Sequence, residues 1–223
     1  MASRLTYRPP RAAQRALLEA GTSPGVCVAV EGPIGVGKTT LTRLLAERLD
    51  ALEMLEVVEE NPFLHHFYQD IRGYAFQTQI FFFLSRYRQQ GTIKAERDGG
   101  RSVISDYMFA KDRLFARMNL DQHELDLYER LYGLIAPMTV RPDLVIYLTA
   151  DLDTLLRRIT RRDRPFERAI EPVYLQRLRE EYDRFFAEYD ETALLAVDTD
   201  EVDIFTKGDL RAIVRCVDEA GRR

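Results

Sequence analysis

The stretch VAVEGPIGVGKTT, residues 28–40, decides the fold. The continuous apolar run 26–30 predicts a buried parallel strand, and the leucines that follow residue 40 recur with the spacing of an amphipathic helix. Between them, GPIGVGKT fits the pattern G-x-x-x-x-G-K-[ST] at every fixed position. Because glycines let successive backbone N–H groups turn inward around phosphate oxygens, this strand–loop–helix unit predicts a phosphate-binding loop in an α/β fold.

The residues of the loop predict binding of ATP with Mg²⁺. Lys38 supplies a mobile cation for a phosphoryl group, and the hydroxyl of Thr39 is placed to ligate Mg²⁺. The positive end of the following helix points at the same phosphates. The predicted nucleotide-binding residues are Gly32, Pro33, Ile34, Gly35, Val36, Gly37, Lys38, Thr39 and Thr40. The loop alone does not identify the phosphoryl acceptor, because pumps, switches, motors and kinases share it.

The whole chain, of 223 residues, is long enough for one α/β domain. We predict an N-terminal extension over residues 1–25, a short helix or a disordered segment, and a single domain over residues 26–223. The net charge of −4 argues against broad nucleic-acid binding, and no apolar run approaches the roughly 20 residues that a membrane span needs. Cys27 and Cys216 are too isolated to form a disulfide framework, which predicts reduced thiols and a cytoplasmic location.

Strand and helix patterns alternate beyond the loop. Strands are predicted at 55–60, 101–105, 143–148 and 193–198, and helices at about 75–96, 109–118, 122–136, 151–161, 172–189 and 208–219. Alternation of this kind indicates βαβ units. We therefore predict a five-stranded parallel sheet with helices on both faces.

Carboxylates follow two of the predicted strands, at the edge where parallel sheets bind ligands. Glu59 and Glu60 close the second strand, and Asp106 closes the third. Asp106 is predicted to hold Mg²⁺ or its waters, with a helix N-cap as the alternative. Adjacent strand residues point to opposite faces, so one of the two glutamates is predicted to face the loop and take a proton from an acceptor hydroxyl. The alternative for this pair is a solvated turn.

An arginine-rich segment lies late in the chain. Its six arginines are Arg157, Arg158, Arg161, Arg162, Arg164 and Arg168. Guanidinium groups bridge phosphate oxygens and offset charge that develops during transfer. The segment is therefore predicted to be a closing lid rather than an RNA-binding surface, which would need a wider basic field.

Five motifs in order resemble the deoxyribonucleoside kinases, and most closely the bacterial deoxyadenosine/deoxyguanosine kinase branch. They are EGPIGVGKTT, EENPFLHHFYQD, FQTQIFFFLSRYRQQ, SDYMFAKDRLFA and LRRITRRDRPFE, and the resemblance covers about residues 26–219. It implies a P-loop kinase fold with an arginine-rich lid. It also implies transfer of the γ-phosphoryl group of ATP to the 5′-hydroxyl of a deoxynucleoside, a purine one, in nucleotide salvage.

The resemblance also implies roles for individual residues. Glu60 is similar to the carboxylate beside the 5′-hydroxyl, with Glu59 as the second choice, and Asp106 shares the assignment as general base. Gln77 and Asp112 match residues that contact the base. Tyr68 and Glu167 match residues that bind the 3′-hydroxyl, while Arg161, Arg162 and Arg164 fall in the lid. Tyr107 stands in the substrate site where the animal enzymes carry an arginine, which leaves open which group steadies the 5′ end of the acceptor.

Two alternatives share parts of this sequence pattern. A nucleoside monophosphate kinase of the thymidylate kinase type has the same fold, loop and lid, but it needs an extra cation for the acceptor phosphate. A catalytically silent assembly subunit is expected to lose Lys38 or the strand-end acids, and this chain retains both. The apolar run 81–84 predicts a surface through which two chains pair by their helices, as the resemblance to the deoxyribonucleoside kinases also implies.

Overall fold

A computed structural model describes residues 5–8 and 25–221 of the chain. The strands are β1 (Leu5–Arg8), β2 (Cys27–Glu31), β3 (Leu52–Met54), β4 (Val103–Ser105), β5 (Leu144–Thr149) and β6 (Ala193–Asp198). The helices are α1 (Lys38–Leu49), α2 (Leu64–Phe67), α3 (Ile71–Asp98), α4 (Asp112–Asn119), α5 (Gln122–Ile135), α6 (Leu152–Arg162), α7 (Pro172–Glu188) and α8 (Lys207–Gly221). Single 3₁₀ turns lie at Phe109–Lys111, Ala136–Met138 and Pro165–Glu167.

The strands form one sheet in the order β1-β6-β5-β2-β4-β3. Five of them are parallel, as the alternating pattern predicts, but the sheet has six strands because β1 pairs antiparallel with β6. Residues 5–8 are thus a strand, where the sequence predicts a short helix or a disordered extension. The predicted extension otherwise falls largely on residues 1–4 and 9–24, which lie outside the described residues.

The two central strands, β2 and β5, are apolar except for their last residues, Glu31 and Thr149. Every residue of β2 is buried, and so are five of the six residues of β5. Such runs are typical of parallel strands covered by helices on both faces. Ala29 of β2 is level with Ser105 of β4 and with Val145 of β5, so the residues that follow these strands meet at one edge. Glu31 is the charged one of the two exceptions, and its side chain is also buried.

The second parallel strand is shorter and earlier than the sequence predicts. The sequence predicts it at residues 55–60, but β3 ends at Met54, opposite Ser105. The ladder stops there because β4 also ends, and the side chain of Asp106 then accepts the N–H of Glu56 at 2.7 Å. Glu59 and Glu60 consequently lie in a turn after the strand and not at its end. In the described part of the chain, no helix is both long and apolar enough to cross a bilayer.

Candidate active site

The phosphate loop connects β2 to α1, which begins at Lys38. Gly35 and Gly37 have φ angles of 86° and 110°, a region that favours glycine. A Cβ on Gly35 would lie 2.9 Å from the carbonyl oxygen of Leu155, so α6 packs tightly against the loop. A Cβ on Gly37 would meet no atom within 4 Å, which leaves room above the loop for phosphate.

Lys38 lies folded back over this loop. Its Nζ donates to the carbonyl oxygens of Gly32 at 2.7 Å and Pro33 at 3.1 Å. Burial and then the positive charge of Lys111 lower the pKa of Lys38 to about 8. Of the nine predicted nucleotide-binding residues, six line the cleft: Ile34, Gly35, Gly37, Lys38, Thr39 and Thr40. Gly32 and Pro33 supply the carbonyl groups, and the side chain of Val36 is buried in the core.

The candidate Mg²⁺ position lies where α1 meets the end of β4. The hydroxyl of Thr39 donates to Oδ2 of Asp106 at 2.7 Å, and both residues line the cleft. A hydroxyl and a carboxylate that converge beside a phosphate loop are the hard oxygen donors that Mg²⁺ prefers. The residues therefore fit the metal, and Mg²⁺ bound there would neutralise charge on the β- and γ-phosphates of ATP.

The carboxylate that the structure places in the cleft is Glu56. Glu60 is exposed and outside the cleft lining, while the side chain of Glu59 is 75% exposed. Glu56 lines the cleft, accepts a hydrogen bond from Nε of Arg86 at 2.9 Å and lies 3.3 Å from Nζ of Lys111. Burial alone would raise the pKa of Glu56, but Arg86 and Lys111 outweigh burial and hold that pKa well below its usual range.

The far end of the cleft presents one face of α3. Gln79 and Arg86, seven residues apart, line the cleft together with Ala75, Thr78 and Phe82, as expected for one helical stripe. Gln77 falls two residues before Gln79 and is exposed outside the lining. The predicted glutamine therefore lies on a face of α3 that points away from this cleft, and Gln79 lies on the face that lines it.

Asp112 lies behind this face and is fully buried, without lining the cleft itself. It forms an ion pair with Arg86 and accepts a 2.6 Å hydrogen bond from the hydroxyl of Tyr128. Its backbone carbonyl accepts the amide Nε2 of Gln79 at 2.9 Å. Asp112 thus orients the two side chains that face the cleft. Tyr107 is likewise 1% exposed, packs against Arg86 and is absent from the lining, in contrast to its predicted place in the substrate site.

The lid and the predicted sugar-binding residues form the remaining wall of the cleft. Arg162 and Arg164 line the cleft, whereas Arg161 is exposed and points elsewhere. Glu167 is buried, lines the cleft and pairs with Arg162. Tyr68 lines the cleft as well. Burial, followed by the neighbouring Tyr174 and Glu167, raises the pKa of Tyr68 well above its ordinary value, so its hydroxyl stays protonated and able to donate.

Sequence reasoning missed three side chains that line this cleft, Glu56, Gln79 and Arg86, and two buried charges behind it, Glu31 and Lys111. Helical spacing gave a usable signal for two of them. Residues 75, 79, 82 and 86 follow the i, i+4, i+7, i+11 series of one face, and that series excludes 77. The buried charges gave no such signal, because only tertiary contacts show their pairing.

One cleft that joins a phosphate loop, an oxygen-lined metal position, an arginine lid and room for an acceptor defines a P-loop phosphotransferase. Comparison with known proteins narrows this class. A family model described as deoxynucleoside kinase matches residues 28–220. The chain is 38% identical over 198 residues to deoxyguanosine kinase of Bacillus subtilis (strain 168), covering 86% of this chain and 96% of that protein. The chain belongs to the deoxynucleoside kinase family.

Further relatives agree with this assignment. The chain is 30% identical over 200 residues to a deoxyadenosine/deoxycytidine kinase of Bacillus subtilis (strain 168), covering 86% of this chain and 90% of that protein. The structure of deoxyadenosine kinase from M. mycoides with products dCMP and a flexible dCDP matches with a TM-score of 0.77 at 26% identity, over 87% of this chain and 100% of that one. The protein is thus an ATP-dependent deoxynucleoside kinase that uses Mg²⁺, and the resemblance read from the sequence is confirmed. A deoxynucleoside kinase agrees with these relatives better than a thymidylate-type kinase or a catalytically silent subunit does.

Proposed function

We propose that the protein transfers the γ-phosphoryl group of ATP to the 5′-hydroxyl of a purine deoxynucleoside, deoxyguanosine or deoxyadenosine. The observation that carries this proposal is Glu56, a carboxylate at the inner end of the cleft that two cations hold in place. Its backbone N–H and the hydroxyl of Thr39 donate to opposite oxygens of Asp106. A hydroxyl held by Glu56 would therefore lie next to the phosphate loop.

In this proposal, each side of the cleft has a separate task. Lys38 and the lid residues Arg162 and Arg164 stabilise the charge of the moving phosphoryl group. Thr39 and Asp106 hold Mg²⁺, and Glu56 orients the 5′-hydroxyl for attack. Because phosphoryl transfer has a loose transition state, orientation and charge carry most of the catalysis. Tyr68 and Glu167 bind the 3′-hydroxyl of the sugar, as the sequence predicts.

Base selection is proposed to depend on Gln79 and Arg86. A guanidinium offers only donors, while an amide offers both donors and an acceptor. N7 and the group at position 6 of a purine present an edge that such a pair reads. The similarity to deoxyguanosine kinase and to deoxyadenosine kinases also supports a purine as the base of the acceptor.

The acceptor is proposed to be a nucleoside and not its monophosphate. A 5′-phosphate would bring two negative charges against Glu56 and Asp106, whereas a hydroxyl is neutral and donates a hydrogen bond to a carboxylate. Like charges at close range disfavour binding. The cleft is therefore suited to the uncharged acceptor.

A homodimer in the cytoplasm is proposed as the working form. Exposed leucines lie on the neighbouring helices α3 and α5, namely Leu84, Leu127 and Leu134. A shared apolar surface on two long helices supports pairing of two identical chains. Cys27 and Cys216 form no disulfide with each other, which supports a reducing compartment, where ATP is also abundant.

An ATP-coupled assay of the purified protein tests the reaction and the base in one panel. The panel contains deoxyguanosine, deoxyadenosine, deoxycytidine, thymidine and the four monophosphates. We expect kcat/KM for at least one purine deoxynucleoside to exceed that for both pyrimidines by at least about tenfold, with no turnover of the monophosphates. Preference for a pyrimidine would refute the proposed base class, and turnover of a monophosphate alone would refute the proposed acceptor.

A further inference from the structure

A lysine is buried between the acceptor cleft and the phosphate loop. Lys111 ends the 3₁₀ turn that follows β4, and its side chain is 3% exposed. Its Nζ lies 3.3 Å from Oε1 of Glu56 and 3.7 Å from Oε1 of Glu31. A buried ammonium group is costly unless it is paired, so these two carboxylates account for its position.

Glu31 connects this lysine to the phosphate loop. Its Oε2 accepts the N–H of Gly32, the first residue of the loop, at 3.3 Å and the hydroxyl of Tyr182 at 3.2 Å. Its Oε1 accepts the N–H of Met108 at 2.7 Å. One carboxylate therefore fixes the start of the loop, helix α7 and the segment after β4 against one another.

Five charged side chains of alternating sign form a row across the site, and all but the partly exposed Glu56 are buried. Asp112 pairs with Arg86, Arg86 with Glu56, Glu56 with Lys111 and Lys111 with Glu31. Arg86 is shared between Asp112 and Glu56, so it connects Glu56 to the base-binding end of the cleft. Lys111 meets the same oxygen, Oε1 of Glu56, and connects it to Glu31 at the start of the phosphate loop. Without Lys111, Asp112 and Glu56 would share Arg86, and no ion pair within this group would connect Glu56 to Glu31.

We propose that Lys111 is a positioning residue, which sets the carboxylate of Glu56 at a fixed distance from the phosphate loop by pairing with Glu56 and Glu31 together. This inference rests on the proposed function, in which Glu56 orients the 5′-hydroxyl. Lys111 does not touch substrate. It aligns the acceptor half of the site with the donor half, and a small displacement between reacting groups costs rate more than affinity.

A double-mutant cycle with Lys111→Met and Glu56→Gln tests the proposal. Methionine is close to lysine in length and removes only the charge. We expect Lys111→Met to lower kcat on the order of 10- to 100-fold, with the KM for deoxynucleoside and the Kd for ADP within about threefold of the unchanged protein. In the Glu56→Gln background, the same change should lower kcat by less than about twofold, because Lys111 acts through Glu56.

Two further variants separate positioning from folding. Lys111→Met with Glu31→Gln relieves the unpaired charge on Glu31, so we expect its Tm to recover towards that of the unchanged protein while kcat stays low. Lys94→Met removes a lysine that is exposed on α3, and it should leave kcat and Tm unchanged. Recovery of kcat together with Tm would refute the proposal, since Lys111 would then only neutralise Glu31.

The cycle also distinguishes this inference from the proposed function. Equal losses from Lys111→Met in both backgrounds would refute positioning through Glu56 and leave the kinase mechanism intact. Full activity of Glu56→Gln would instead refute the proposed role of Glu56, and the inference about Lys111 with it. Unchanged kcat in a folded Lys111→Met protein would refute the inference alone.

Discussion

At the scale of single residues, Glu56 has the environment of a carboxylate that remains ionised. Arg86 and Lys111 outweigh the effect of burial and lower its pKa from the ordinary 4.5 to about 2. A weakly basic carboxylate accepts a hydrogen bond well but removes a proton poorly before transfer begins. Glu56 is therefore suited to orienting the attacking oxygen, which is what a loose phosphoryl-transfer transition state requires.

The first prediction compares Glu56 with the glutamate that the sequence favours. Glu56→Gln should lower kcat about 100-fold, because the neutral amide loses the ion pairs with Arg86 and Lys111 and no longer presents a carboxylate to the hydroxyl. Glu60→Gln should change kcat by less than about twofold, since Glu60 is exposed outside the cleft. Steady-state kinetics with saturating ATP measures both variants. A larger loss from Glu60→Gln would restore the assignment made from the sequence.

The second prediction concerns protonation of Lys38. With a pKa of about 8 in the ligand-free protein, part of the population is neutral at pH 8.5, and phosphate binding favours the charged form. Binding of ADP at pH 8.5 should therefore take up protons, and affinity should fall as the pH rises from 7 to 9. Calorimetry in two buffers with different ionisation enthalpies measures this uptake. Lys38→Arg stays charged and should show little uptake, whereas equal uptake in both proteins would place the proton elsewhere.

At the scale of elements, the rotation of α3 about its own axis decides which of its side chains face the cleft. The helix runs over 28 residues without interruption, so a shift of two positions moves a side chain by about 200° around its axis. That rotation separates Gln79 in the cleft from Gln77 at the surface. The motif FQTQ contains both glutamines, and only the packing of the helix distinguishes them.

The third prediction follows from the rotation of α3 about its axis. Gln79→Leu should raise the KM for the preferred deoxynucleoside at least about tenfold, because the base loses a hydrogen-bond partner in a closed site. Gln77→Leu introduces the same side chain at the surface and should change this KM by less than about twofold. Initial-rate measurements on both variants check the expectation. Equal effects would show that the exposed side of α3 also contributes to the substrate site.

The sequence predicts local features of the site well and the tertiary ones poorly. The phosphate loop, Asp106 and the two lid arginines that line the cleft follow from short motifs whose geometry is local. The end of β3 does not, because it depends on where β4 stops and on Asp106 accepting the N–H of Glu56. The sequence also does not predict the sixth strand, because β1 is short and pairs with β6, which lies near the opposite end of the chain.

At the scale of the whole molecule, the site depends on one edge of the sheet. Strands β2 and β4 deliver the phosphate loop and Asp106 to that edge, while α3 and the lid segment after α6 approach it from outside. The opposite surface of α3 is free of these tasks. Its exposed Leu84 lies beside α5, which exposes Leu127 and Leu134.

The last prediction tests whether this apolar surface joins two chains. Light scattering after size exclusion should give twice the 25.9 kDa of one chain. Leu134→Glu together with Leu84→Glu should shift the mass to that of a monomer, because two buried charges without partners would have to enter the interface. Val173→Glu is the matched control, as Val173 on α7 is 73% exposed, close to the 71% of Leu134. It should leave the dimer intact. A monomer before any substitution, or a dimer that survives both glutamates, would contradict pairing through α3 and α5.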